Sequence, residues 1–194
     1  PFPNDVLDIV RKEQTHSIIG NYDQKVLKFP TKRAKWKKTK KSWKYDAFKW
    51  NALALSKENK RYLESLPDEI RLEVGGYRIL LTHGSPESIN EPLGPETGHQ
   101  RLAELAKAAE VDVVVTGHSH SYLSKTINGC RFINPGSAGM PSDEDMAGTY
   151  AFLKIDKRRI AVEKRRLTLD VPRILRAMHA AGFSRKLQDY FIEK

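Results

Sequence analysis

The 194-residue sequence holds a single cysteine, Cys130, so no intrachain disulfide can brace it. That composition suits a reducing compartment, and the cytoplasm is the expected location. No apolar run approaches the roughly 20 residues that a membrane-spanning helix needs, which excludes insertion by that route. Acid is nearly missing from one stretch: residues 24–50 contain ten Lys and Arg33 against Asp46 alone, a local net of +10. The whole chain also carries a net of +10, so the remainder balances and the excess is local. Internal repeats are absent, and beyond this lysine-rich stretch so is low-complexity sequence. What is left, 39% hydrophobic and 30% charged, is enough for one sizeable core at this length. Residues 1–194 are expected to form a single domain.

Helix and strand signals alternate, the pattern of an α/β protein. Asn4 to Lys12 is expected to be a short amphipathic helix behind an Asn4 cap. His16 to Gly20 is expected to be a short buried strand ending in the turn Gly20-Asn21-Tyr22-Asp23. A basic helix is expected from Thr31 to about Trp50, and another from Ser56 to just before Pro67. Gly75-Gly76 and Asn128-Gly129 each sit between β-branched or apolar runs, the signature of two-residue hairpins. A helix from Gly98 to Ala109 leads into the buried strand Val111 to Thr116. Thr149 to Ile155 and Ile160 to Arg166 form a further pair around Asp156-Lys157. The tail, 171–194, reads as two helices broken at Gly182.

Candidate chemistry gathers in four short loops: Gly20-Asn21-Tyr22-Asp23, Thr82-His83-Gly84-Ser85, Gly117-His118-Ser119-His120 and Asn134-Pro135-Gly136-Ser137. Each follows an apolar run, and in open α/β sheets ligands are held at the carboxyl ends of strands. Imidazole nitrogen and amide oxygen are ligands for Zn, Mn, Fe or Ni. Neighbouring glycines let the backbone turn tightly and leave room for a substrate. A lone His after a strand is more often an ordinary hydrogen-bonded residue; three of them with Asn21 favour a metal site. Ser85 and Ser137 are candidates to touch phosphate, whereas His99 reads as a solvated loop residue.

The order Gly-Asn-Tyr-Asp, Thr-His-Gly, Gly-His-Ser-His resembles the later motifs of calcineurin-like metallophosphoesterases, in particular the small bacterial and archaeal phosphodiesterases, in which Asn134-Pro-Gly-Ser-Ala-Gly139 is also familiar. The resemblance runs from Pro1 to about Lys164. It implies a four-layer α/β/β/α sandwich, here missing its first strands, with residues 24–50 as a basic helical insertion. It also implies a phosphodiesterase that uses two divalent ions, with Asn21, His83 and His118 on one and His120 on the other. In that mechanism the ions clamp the phosphate and a bridging hydroxide attacks phosphorus in line.

The sequence departs from the family pattern twice. The opening Asp-x-His and Gly-Asp-x-x-Asp-like motifs, which supply carboxylates, do not lie in these 194 residues, so the resemblance implies a leading segment that holds them. Asn21, His83, His118 and His120 are all neutral donors, and this chain alone is expected to bind at most one metal, weakly. Tyr22 stands where many relatives have a His that stabilises the leaving oxygen, oriented by the following Asp23. A phenol donates a hydrogen bond but is a poor acid near neutral pH, so good leaving groups are favoured.

Trp36, Trp43 and Trp50 recur every seven residues inside the basic stretch. On one helix they share a face that packs on the domain, with the lysines mostly elsewhere. Unpaired lysines at helical spacing repel, and an anionic partner, nucleic acid or another polyanion, would offset that. Two alternatives to the enzyme stay open: a non-catalytic scaffold on the same fold, and a nucleic-acid-binding module.

Overall fold

The computed structural model describes residues 1–142, 147–156 and 159–192. In chain order its elements are α1 (Pro3–Lys12), α2 (Asn21–Thr39), α3 (Ser42–Ala54), α4 (Lys57–Ser65), β1 (Glu69–Val74), β2 (Tyr77–Thr82), α5 (His99–Ala109), β3 (Val113–Val115), β4 (Tyr122–Ile127), β5 (Cys130–Pro135), β6 (Gly148–Ile155), β7 (Ile160–Leu167), α6 (Val171–Ala180) and α7 (Arg185–Asp189). The chain divides into two compact units, Pro1–Pro67 with Asp170–Lys194, and Asp68–Leu169. No helix among the described residues is long and apolar enough to cross a membrane.

The first unit is helical. Asn4 does not cap α1 but lies inside it. Its amide donates to the Ala54 carbonyl at 2.8 Å while its oxygen accepts from Ser56 N at 3.0 Å. Asn59, buried on α4, completes the tie: its Nδ2 donates to Asn4 and Asp8, and its Oδ1 accepts from Arg11. Ser56 caps α4 as its sequence suggests, accepting from Asn59 N at 3.0 Å. Residues 16–20 join no strand ladder among the described residues. Instead, Asn21 opens a helix ten residues earlier than Thr31. The Asp23 carboxylate accepts from Gly20 N at 2.8 Å, which satisfies one of the orphan donors of the first turn.

The expected single basic helix is two. α2 runs through Pro30 and stops at Thr39, and α3 starts at Ser42. Lys40 and Lys41 between them take extended ψ values of 151° and 138°. Phe48, buried on α3, lies 5.0 Å from the ring of Tyr22 and 5.9 Å from that of Trp36. α2 continues through Pro30, which has no N–H to give the Val26 carbonyl. Two of the three tryptophans pack on aromatic rings, and on different helices: Trp36 lies against Phe29 and Phe48, and Trp50 lies 4.9 Å from Phe183. Trp43 is half-buried, with Lys44 Nζ 5.2 Å over its ring.

The second unit is α/β. Five of its strands form one sheet in the order β1-β2-β3-β5-β4, with β2, β3 and β5 mutually parallel and the edge strands β1 and β4 antiparallel to their neighbours. Both expected hairpins are present: Gly75 and Gly76 take φ of 60° and 81°, Asn128 and Gly129 take 50° and 80°, the positive values such turns require. Leu102, Leu105 and Ala109 of α5 cover one face of the sheet through Leu80, Val114 and Phe132. On the other face, Leu153, Ile155, Ile160 and Val162 of the antiparallel pair β6-β7 pack on Ile79, Val113 and Ile133. The result is a helix, sheet, sheet layering inside this unit. Asp156 N donates to the Arg159 carbonyl at 3.1 Å to start the β6-β7 turn, while Lys157, expected in that turn, lies outside the described residues.

Candidate metal centre

Because β2, β3 and β5 are parallel neighbours, their carboxyl ends share one edge of the sheet. The loops carrying His83, His118 and Asn134 therefore leave from the same side. Hydrogen bonds lace these loops together. Gly117 N donates to the His83 carbonyl at 2.9 Å and Thr116 N to that of Ile133 at 2.8 Å. The Thr116 hydroxyl turns back to the Gly84 carbonyl.

His83 and His118 meet directly: His83 Nε2 and His118 Nδ1 are 3.1 Å apart, with the rings inclined at 67°. Two nitrogens each roughly 2.0–2.1 Å from one ion, at angles between octahedral and tetrahedral, would stand about 3 Å apart. The observed spacing thus fits two donors to a common cation. His118 and His120 both take left-handed backbone conformations, φ 60° and 61°, uncommon for residues with a Cβ and concentrated at functional turns. The Met140 carbonyl, which can only accept, lies 2.7 Å from His120 Nδ1. The proton of a neutral His120 therefore sits on Nδ1 and its Nε2 keeps the free lone pair, the tautomer that suits a ligand. Among the described residues no group of three or more His, Cys, Asp or Glu is placed to hold a metal ion.

Asn21, Tyr22 and Asp23 open α2 and belong to the first unit. Asn21 is buried, whereas Tyr22 is 46% exposed, with Lys25 Nζ 4.5 Å over its ring. Burial raises the Asp23 pKa, and the Gly20 N–H partly opposes that rise.

Two residues act where the sequence alone showed only loops. Asn134, fully buried, donates from Nδ2 to the carbonyls of Gly117 (2.6 Å) and Leu93 (3.1 Å) and to Ser119 Oγ (2.9 Å), and it accepts from Gly136 N at 3.0 Å. It fixes the Gly-His-Ser-His loop from beneath. Its position at the head of Asn-Pro-Gly was the available signal. Glu91 had no motif: Arg101 grips it with Nε at 2.7 Å and Nη2 at 2.8 Å, and Ser85 Oγ donates to it. Arg101 first, then Ser85, overcome the burial cost and hold the Glu91 carboxyl down at about 2. Ser85 is consequently a loop brace, accepting also from Glu87 N and Ser88 N, and His99 is an exposed first residue of α5. Cys130 is buried, and burial pushes its thiol up to about 11, so it is no nucleophile.

The chain belongs to the calcineurin-like phosphoesterase superfamily, whose domain model matches residues 2–158. It is 32% identical over 95 residues to a probable metallophosphoesterase of Mycoplasma pneumoniae, a match that covers 48% of this chain and 58% of that protein. This chain therefore spans less than two thirds of that relative's length. Among solved structures, a hypothetical protein from Pyrococcus horikoshii matches with a TM-score of 0.88 at 19% identity, over 98% of this chain and 79% of its own. A metallophosphoesterase from Sphaerobacter thermophilus matches with 0.76 at 23% identity, over 97% and 81%. These structures establish the metallophosphoesterase fold, as the motif order led one to expect.

Proposed function

We propose that the protein hydrolyses phosphate esters, phosphodiesters foremost, with divalent metal held at His83, His118 and His120. The observation that carries this reading is the 3.1 Å approach of two imidazole nitrogens on loops laced together at the carboxyl edge of parallel strands. A divalent ion bound there, Mn, Fe, Ni or Zn, would supply Lewis acidity toward phosphoryl oxygens and lower the pKa of water. His83 Nε2 and His118 Nδ1 serve one ion. His120, its Nδ1–H committed to the Met140 carbonyl, offers Nε2 to a second ion.

Asn21, Tyr22 and Asp23 enter the proposal by their motif alone. Asn21 is a further amide donor to the first ion, Tyr22 a hydrogen-bond donor to the leaving oxygen, and Asp23 the residue that orients this turn through Gly20 N. The lone, buried Cys130 keeps the cytoplasm as the proposed compartment.

The test is hydrolysis of bis-p-nitrophenyl phosphate and p-nitrophenyl phosphate, with added manganese and then with EDTA, by the wild type and His118→Ala. The diester should be cleaved faster, and EDTA or the substitution should abolish cleavage. Cleavage that survives both would overturn the assignment of His118, and comparable rates on nitrophenyl and alkyl diesters would remove the role given to Tyr22.

A further inference from the structure

Outside the basic stretch the paired cations are mostly arginines: Arg11 pairs with Glu58, Arg71 with Glu69, Arg78 with Asp112 and Arg101 with Glu87 and Glu91, as does Lys154 with Glu163. Lys12, Lys57 and Lys107 form no ion pair among the described residues, but they stand singly and not in a row. On α2, Lys28, Lys32, Arg33, Lys35, Lys37 and Lys38 are all exposed, and none forms an ion pair among the described residues. Asp46 is the one acid from 24 to 50.

The arrangement is ordered along the helix. Lys25, Lys28, Lys32 and Lys35 fall at i, i+3, i+7 and i+10, which lays them along one face over roughly 15 Å. At the open end of this row, Lys25 is itself crowded: burial first, then Lys40 and Lys44, lower its ammonium pKa. The folded unit thus holds like charges near one another with no ion pair on these side chains among the described residues. The aromatic rings of the stretch are taken up within the fold: Trp36 and Tyr45 lie against Phe29, Trp36 also against Phe48, and Trp50 against Phe183, while Lys44 lies over the Trp43 ring and Lys25 over that of Tyr22. Nor does this face carry a large exposed apolar side chain between residues 23 and 52 with which to enter a lipid surface.

We infer that the face of α2 bearing Lys25, Lys28, Lys32 and Lys35 binds the phosphodiester backbone of a nucleic acid without regard to its sequence. A regular row of unpaired ammonium groups matches a regular row of phosphates, and the counterions released on contact drive such binding. Recognition through phosphates alone requires no base contact, which fits a surface whose aromatic rings are occupied. This inference stands apart from the phosphoesterase reading, since it concerns only the first unit and needs no metal.

The experiment is fluorescence anisotropy with a labelled oligouridylate of about 20 nucleotides, and separately a DNA duplex of similar length, in EDTA so that no hydrolysis intervenes. Affinity is measured across a potassium chloride series. For four contacts on a single strand, log K should fall against log salt with a slope of about −2.8, and the triple variant Lys28→Gln/Lys32→Gln/Lys35→Gln should reduce that slope by about 2. A control with the same loss of charge elsewhere, Lys12→Gln/Lys57→Gln/Lys107→Gln, should keep the slope, and far-ultraviolet circular dichroism should show both variants with the wild-type helix content. Equal weakening in both triple variants would make net charge, not this face, responsible. Absence of binding to either nucleic acid, or binding only to phosphatidylserine vesicles, would overturn the proposal outright.

Discussion

His83 Nε2 and His118 Nδ1 stand 3.1 Å apart on separate loops whose backbones are joined by the Gly117 N to His83 carbonyl hydrogen bond. Either one ring donates a proton to the other or both lone pairs turn to a shared cation. Imidazole coordinates a metal through an uncharged nitrogen, so His83, His118 and His120 as ligands compensate none of a bound ion's charge. Isothermal titration of the 194-residue chain with manganese should therefore find at most one weak site. His83→Ala and His118→Ala should each weaken it by at least about tenfold. Two tightly held ions per chain would contradict this.

The left-handed backbone at His118 and His120 gives a second prediction. Any side chain with a Cβ is strained there by about 1–2 kcal/mol, and glycine is not. His118→Gly should be more stable in urea than His118→Ala by about 1 kcal/mol, although both lose the imidazole. Equal stabilities would mean that the loop relaxes when the ring is removed.

The three histidines were legible in the sequence because they lie in two short glycine-containing loops, Thr82-His83-Gly84 and Gly117-His118-Ser119-His120, each directly after an apolar run, a pattern that parallel strands turn into one edge. The hairpins at Gly75-Gly76 and Asn128-Gly129 were legible for the same local reason. The start of α2 was not. Ile18-Ile19 looked like a strand end, and only the reach of Asp23 back to Gly20 N shows that Asn21 begins a helix. Pro30 read as a boundary, yet the packing of Tyr22 and Trp36 on Phe48 carries the helix through it. The brace on the His83 loop was hidden because Arg101 and Glu91 meet through tertiary structure, which no spacing rule reports.

Gly84, next to His83, is fixed by sterics. A Cβ there would collide with the Ser88 carbonyl oxygen and come within 2.8 Å of the Ile89 carbonyl, and backbone cannot swing aside as a side chain can. Gly84→Ala should lower stability by about 2 kcal/mol or more, in the range of overpacked sites. Gly98→Ala, where nothing lies within 4 Å, should cost no more than the roughly 1 kcal/mol lost when alanine replaces a favoured N-cap residue of α5. Urea midpoints of the two variants make the comparison, and similar losses would remove the steric explanation.

Acid should release the same loop. Arg101, aided by Ser85, holds the Glu91 carboxyl at about 2, below its ordinary 4.5. A depressed folded pKa means that the contribution is complete above about 4.5 and is lost as pH falls from there through 2. Glu91→Gln should thus be less stable than the wild type at neutral pH by about 1–2 kcal/mol, the scale of a hydrogen bond to a charged group. The gap between the two should close as the pH approaches 2. The loss should also be local, because Ser85 Oγ, which donates to Glu91, accepts from the amides of Glu87 and Ser88. Hydrogen exchange at neutral pH should show those two amides opening faster in Glu91→Gln while the amides of β3 stay protected. A variant whose stability runs parallel to the wild type from pH 6 to pH 2 would show that the Arg101 grip does not anchor the turn after His83.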